Sequence, residues 1–151
     1  MNAKELSTKY EMTRHAESGL FFERHYVSDE PGRAASGSIC YYVAPGERTG
    51  FHRIDCDEYW CHNAGCDLEV WSFSPDGTLR KLLLGVSEAA EPFLFFKKGE
   101  VFASRLSAQS PDGAFLTCIT VPRFSYEGAE LIEKDAMLAR FPASADFWAQ
   151  E

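Results

Sequence analysis

The sequence predicts an all-β fold of short antiparallel strands, with a short helical segment at its C-terminus, on three observations. Short apolar or alternating runs recur at 19–27, 38–45, 58–63, 67–73, 80–85, 93–99, 101–106 and 114–122, the rhythm of strands one face of which is buried. Turn chemistry separates the runs. Strong helix formers without strand alternation gather only towards the end of the chain.

Within the first run Phe21 and Tyr26 stand among Glu23 and His25, the pattern of a strand with one wet face. Pro31-Gly32 and Pro45-Gly46 follow as turns, because Pro presets φ and Gly tolerates positive φ. The tetrad Ser-Pro-Asp-Gly occurs at 74–77 and again at 110–113, which predicts two tight hairpins. The flanking residues of the two copies differ, so they are recurring turn chemistry and not a structural repeat. In the tail, Leu131, Ile132, Met137 and Leu138 precede Phe141-Pro142, the pattern of one short helix or two turns before a proline. Periodicity leaves sandwich, jelly roll and small barrel open.

The chain has 151 residues, of which 45% are hydrophobic and 14% aromatic. That is the size of one domain with a core of its own, expected over 1–151 with a barrel at about 15–131 and a tail at 132–151. A formal net charge of -8 excludes a nucleic-acid partner, which needs a basic face to displace counterions. The five cysteines, Cys40, Cys56, Cys61, Cys66 and Cys118, form no paired zinc spacing and no even disulfide set, which fits a reducing cytoplasm. The N-terminus lacks the apolar run of a signal peptide, and no stretch reaches the length that spans a bilayer, so no membrane partner is expected.

The decisive segment is 45–65. Gly46, His52, Glu58 and Gly65 match, in type and spacing, the glycine, first histidine, glutamate and closing glycine of the first cupin motif, and the sequence resembles that superfamily. Strand alternation gives the pattern its logic: His52 and residue 54 face one side of a strand, a turn follows, and Glu58 faces the same interior from the partner strand. Position 54 is Ile where the motif has its second histidine. In the second motif Phe102 stands for the last histidine and Lys97 for the proline. The likeness extends to the cupin-5 family of small cupins over most of 15–131. His15, Glu17, Gly19, Phe21 and Glu23 match its first block; Ala16, Ser18, Leu20 and Phe22 depart from it, as do Cys61 and Phe102 further on. The resemblance implies a compact antiparallel β-barrel or jelly roll, frequently a homodimer, with a pocket likened to those of sugar-nucleotide epimerases and seed-storage cupins.

Alternation places Trp60 and His62 on the side of Glu58, so His52, Glu58 and His62 are the expected centre. Two imidazoles and a carboxylate could hold Fe, Mn, Ni or Zn and run a dioxygenase-like reaction. With Ile54 and Phe102 at the usual ligand places, a metal-free, hydrogen-bonded cluster is favoured. There His52 would be a general base oriented by Glu58, with His62, Tyr42 or Tyr126 as the acid. The expected function is therefore binding of a small polar molecule, sugar-like or carboxylate-bearing, with isomerase, epimerase or lyase chemistry. A non-catalytic binding module is the competing reading. Trp60, Tyr42, Phe102, Arg53, Glu23, His25 and Tyr126 are the expected ligand contacts, Arg53 and Arg105 as clamps for an anion. Each has a plainer role open to it, since tyrosines on strands more often pack and arginines on barrels more often pair with carboxylates.

Overall fold

In the computed structural model the described residues are 1–16, 19–27 and 32–149, without the side chains of residues 24 and 25. They form two antiparallel sheets packed face to face. The first has six strands in the order β1 (Thr13–Arg14), β2 (Leu20–Val27), β3 (Ser36–Val43), β10 (Ala114–Val121), β5 (Asp57–Gly65) and β8 (Phe93–Phe96). The second has five, in the order β11 (Ala129–Leu131), β4 (His52–Ile54), β9 (Val101–Leu106), β6 (Leu68–Phe73) and β7 (Leu79–Leu84). Each apolar run of the sequence supplies one strand, and the jelly roll expected from the motif is the fold found.

Alternation along these strands divides the apolar residues among three cores. Between the sheets lie Tyr41, Val43, Trp60, Leu68, Val70, Leu84, Leu94, Phe96, Phe102 and Leu116. The outer face of the five-stranded sheet, with Phe51, Trp71, Phe73, Val101 and Ala103, is covered by Met137 and Phe147 of α2 (Lys134–Arg140) and α3 (Ala145–Ala149). On the outer face of the six-stranded sheet, Cys40, Tyr42 and Phe115 are covered by Ala3 and Leu6 of α1 (Ala3–Lys9).

Helix α1 departs from the expectation that helix is confined to the tail. Its signal is in the sequence: the Asn2 side chain accepts from Glu5 N–H while Glu5 returns a bond to Asn2 N–H, the reciprocal cap that starts short helices. Asp112 adds a second cap, its carboxylate accepting from the backbone N–H groups of Ala3 and Lys4 at 3.2 and 3.0 Å. That use of Asp112 corrects the second predicted hairpin. Residues 74–77 do turn β6 back onto β7, but 110–113 carry the chain from β9 in one sheet to β10 in the other. The tail differs too, because Ala129–Leu131 pairs with β4 as a strand before two short helices follow. No helix among the described residues is long and apolar enough to cross a membrane.

One consequence of topology matters for the site. His52 and Glu58 are not on paired strands: β4 belongs to the five-stranded sheet and β5 to the six-stranded one. The turn between them crosses the sandwich, and the two side chains face each other's sheet across the interior.

Candidate functional site in the space between the sheets

At one end the sheets splay around a cavity of about 710 Å³, lined among others by His15, Phe21, Tyr41, His52, Ile54, Glu58, Trp60, Cys118 and Thr120. Its inner wall holds three buried titratable groups, with exposures of 9% for His15, 3% for His52 and 7% for Glu58.

His52 is fixed from two sides. The Gly50 carbonyl accepts a hydrogen bond from Nδ1 at 3.0 Å, which assigns the ring proton there and leaves Nε2 as the basic nitrogen of the neutral ring. Its ring packs on Phe102 at 4.2 Å, and Phe102 stacks in turn on Phe96 at 4.0 Å. Burial lowers the His52 pKa, and the charge of nearby Glu58 opposes that shift. Glu58 and Trp60, two residues apart and so on one face of β5, meet through the indole N–H, which donates to the carboxylate at 2.8 Å. A carboxylate removed from water needs such a donor.

His15 approaches from the link between β1 and β2. Its backbone N–H donates to Gly19 O at 2.9 Å, a tight return that requires φ of +76° at Gly19, where a Cβ would come within 2.7 Å of Tyr42 O. The ring stands edge-on to Phe21 at 5.0 Å and Tyr41 at 5.5 Å. Burial, reinforced by His52, lowers its pKa to about 4. Both imidazoles are therefore neutral near pH 7.

The mouth is charged but paired. The Arg33 guanidinium forks onto Asp55 with two bonds of 2.9 Å and its Nε donates to Arg123 O at 2.6 Å. Arg123 holds Glu23 and lies over the Tyr26 ring at 4.1 Å. Tyr126, 63% exposed, also lines the mouth, its ring against Phe124.

Of the residues expected from sequence, His52, Glu58, Trp60, Glu23 and Tyr126 thus share this cavity. Phe102 does not line it but forms the floor under His52. Tyr42 points the other way, under α1, its hydroxyl donating to Asp112 O at 2.9 Å; its neighbour Tyr41 takes the inward place because alternation allows only one of them. Arg53, between inward His52 and Ile54, faces solvent and pairs with Glu130 at 2.6 Å. Arg105 is buried on the opposite face, forked onto Glu69 and donating to Phe147 O, so neither arginine clamps an anion here. Glu17 and the His25 side chain lie outside the described residues.

His62 is the chief correction. It keeps the parity of Glu58 and Trp60, but four residues of strand carry it about 13 Å along β5, where its Nε2 lies 3.2 Å from Cys66 O. Asn63 bulges next to it, so that Phe115 pairs with Ala64 and Leu116 with His62. Parity established the face; strand length removed the side chain from the site. No group of three His, Cys, Asp or Glu side chains among the described residues is placed to hold a metal ion. With Ile54 and Phe102 where a metal site would need imidazoles, the described residues do not fit the divalent metal that the cupin resemblance allows. His15 was visible only as a match to the first cupin-5 block, because nothing in its own neighbourhood reveals that the β1–β2 link folds inward.

The Cupin_5 family, described as cupin superfamily (DUF985), matches residues 4–132. No curated protein matches the chain. Among solved structures, the crystal structure of a protein from Shewanella oneidensis has a TM-score of 0.88 and 28% identity, covering 97% of this chain and 94% of that one. A hypothetical protein from Leishmania major has a TM-score of 0.81 and 23% identity over 95% and 94% of the two chains. Oxalate decarboxylase from Bacillus subtilis gives 0.62 and 15%, covering 91% of this chain but 36% of the enzyme, a likeness of fold.

Proposed function

This chain belongs to the Cupin_5 family of the cupin superfamily, and we propose that it binds a small, uncharged, sugar-like molecule in the cavity and isomerises it without a metal. The observation that carries this reading is the enclosure of two neutral imidazoles and one carboxylate, His15, His52 and Glu58, in a single cavity. A neutral ring whose Nδ1–H is tied to Gly50 presents Nε2 as a base, and a nearby carboxylate stabilises the imidazolium that forms.

For an α-hydroxycarbonyl substrate, His52 Nε2 takes the proton from the carbon beside the carbonyl. The electron pair moves onto the carbonyl oxygen, towards which the neutral His15 ring donates its N–H, as a neutral imidazole does when it polarises a carbonyl. The proton of the neighbouring hydroxyl then passes through the His15 ring to the former carbonyl oxygen. The His52 imidazolium, whose proton exchanges in part with solvent, protonates the former carbonyl carbon, so that the carbonyl moves to the neighbouring carbon with no net change in redox state. Trp60 and Tyr41 from one sheet and Ile54 from the other offer apolar surface to the ligand. Arg33 and Arg123 already hold Asp55 and Glu23, which supports an uncharged substrate over a carboxylate-bearing one. The free state of all five cysteines supports placing the protein in a reducing compartment, with the cytoplasm as our choice.

The test is incubation in deuterium oxide with a panel of aldoses, ketoses and smaller hydroxycarbonyls, read by proton NMR. Solvent deuterium should enter the carbon beside the carbonyl of at least one compound, and His52→Gln should reduce that rate by about 10²–10⁴-fold while the melting temperature holds. Binding of a panel member without any deuterium uptake would replace the enzyme by a binding module, the reading to which Ile54 and Phe102 lend themselves.

A further inference from the structure

The isomerisation uses only the inner wall of the cavity, and the cavity is larger than that chemistry needs. At about 30 Å³ per water, its volume of about 710 Å³ holds about two dozen waters, roughly twice the number of carbon and oxygen atoms in one hexose. Outside His15, His52 and Glu58 the lining changes character. Phe124, Ser125, Tyr126 and Glu127, which follow β10, form one side of the mouth. Their rings step outward from the reacting groups: Phe124 lies 6.4 Å from the His15 ring and 4.9 Å from that of Tyr126. Tyr126 ends the series at the rim, 63% exposed.

That segment is pinned at several points. Phe124 N–H donates to Thr120 Oγ1 at 2.9 Å, and Arg123 N–H donates to Ala34 O at 3.0 Å. Gly128 N–H donates to Ser125 O at 3.1 Å. Gly128 also lies so close to the Asp55 carboxylate that no side chain fits there, and Asp55 is itself forked onto Arg33. An aromatic face held in place before its ligand arrives avoids much of the ordering cost of binding.

The chemistry of the rim selects what reaches it. A tyrosine presents an apolar face and a hydroxyl, which suits a sugar ring, whose C–H groups lie on its face and whose hydroxyls at the edge can reach Ser125 and Glu127. A phosphate fits poorly. Arg33 and Arg123, the arginines of the lining, already hold Asp55 and Glu23, and Glu127 adds an exposed carboxylate, so the described residues of the mouth carry more negative charge than positive.

We propose, on the basis of the isomerase reading above, that the substrate is a reducing disaccharide. Its open-chain hydroxycarbonyl unit reacts between His52 and His15, while its second ring packs against Tyr126 and Phe124 at the mouth. Tyr126 then sets specificity for a two-ring substrate and takes no part in the proton transfers.

Calorimetric titration of the full chain with glucose, cellobiose, maltose, lactose and UDP-glucose tests this, alongside deuterium uptake by the same compounds. At least one disaccharide should bind about tenfold or more tighter than glucose, with a kcat/KM for deuterium uptake raised to match. Tyr126→Ala should bring that disaccharide down to the level of glucose, and Tyr126→Phe, which keeps the ring, should keep most of the preference. Disaccharides no better than glucose overturn the proposal, and deuterium uptake from glucose would then leave the isomerase reading standing. An undiminished preference in Tyr126→Ala overturns it as well, as does UDP-glucose binding tighter than every disaccharide. Binding of a disaccharide that depends on Tyr126 but brings no deuterium uptake supports the two-ring site and removes the isomerase reading. Failure of every compound to bind overturns both.

Discussion

The two ends of the space between the sheets are built from the same strands and have opposite contents. At one end Leu68, Val70, Leu84, Leu94 and Leu116 pack into an apolar core; at the other, His15, His52 and Glu58 line a cavity. The division falls within single strands: β5 gives Glu58 and Trp60 to the open end and His62 to the far one, and β10 gives Thr120 and Cys118 to the cavity but Leu116 to the packed core. Where the inward residues are aliphatic, the sheets close on one another; where they are polar and held by partners, a cavity can persist. Phe102 marks the border, in contact with His52 on one side and Phe96 on the other.

The sharpest way to break that division is at the border. Phe102→Ala should destabilise the protein by about 3–5 kcal/mol, the cost of a large buried ring and the void it leaves, measured by urea unfolding. Acid attacks the open end instead. The unfolded chain takes up a proton on each histidine near pH 6.5, whereas folded His15 does so only at about 4. Stability is thus untouched above pH 7 and falls as pH drops from 6.5 towards 4, by about 3 kcal/mol from His15. His52 is shifted in the same direction and adds to the fall. His15→Gln should flatten the curve across that window, while Leu116→Ala lowers it equally at every pH.

Outside both ends the effects shrink. Asp112→Ala removes the carboxylate that caps α1 and should cost about 0.5–2 kcal/mol, visible as faster amide exchange over Ala3–Lys9. Arg53→Ala breaks an exposed pair with Glu130 and should change the melting temperature hardly at all, by at most about 1 kcal/mol. A larger effect would mean that Arg53 has a role its outward position does not indicate.

The fold was legible because strands announce themselves locally: alternation located the runs, and Gly46, His52, Glu58 and Gly65 ordered them. Most of what escaped depends on distance along or across the sandwich. Alternation identified the face of His62 but not the length of strand that takes it away from Glu58. It could not choose between Tyr41 and Tyr42 without the register of β3 against β10. The sequence carried Asn2 and Glu5 as a helix cap, yet one reciprocal cap over seven residues is a faint signal beside eight strand runs. The role of Asp112 as a second cap joins residues about a hundred positions apart, which no local pattern encodes.

The central claim is that two neutral imidazoles are held in the open end, and a pH titration of the histidine ring nitrogens by NMR in the wild type and His15→Gln tests it most directly. The account predicts that the His15 ring stays neutral down to about pH 4, that His52 also titrates below 6.5, and that equimolar Mn(II) broadens neither signal selectively. A His15 midpoint at or above 6.5, or selective broadening of the His15 and His52 signals that His52→Gln abolishes, would contradict it.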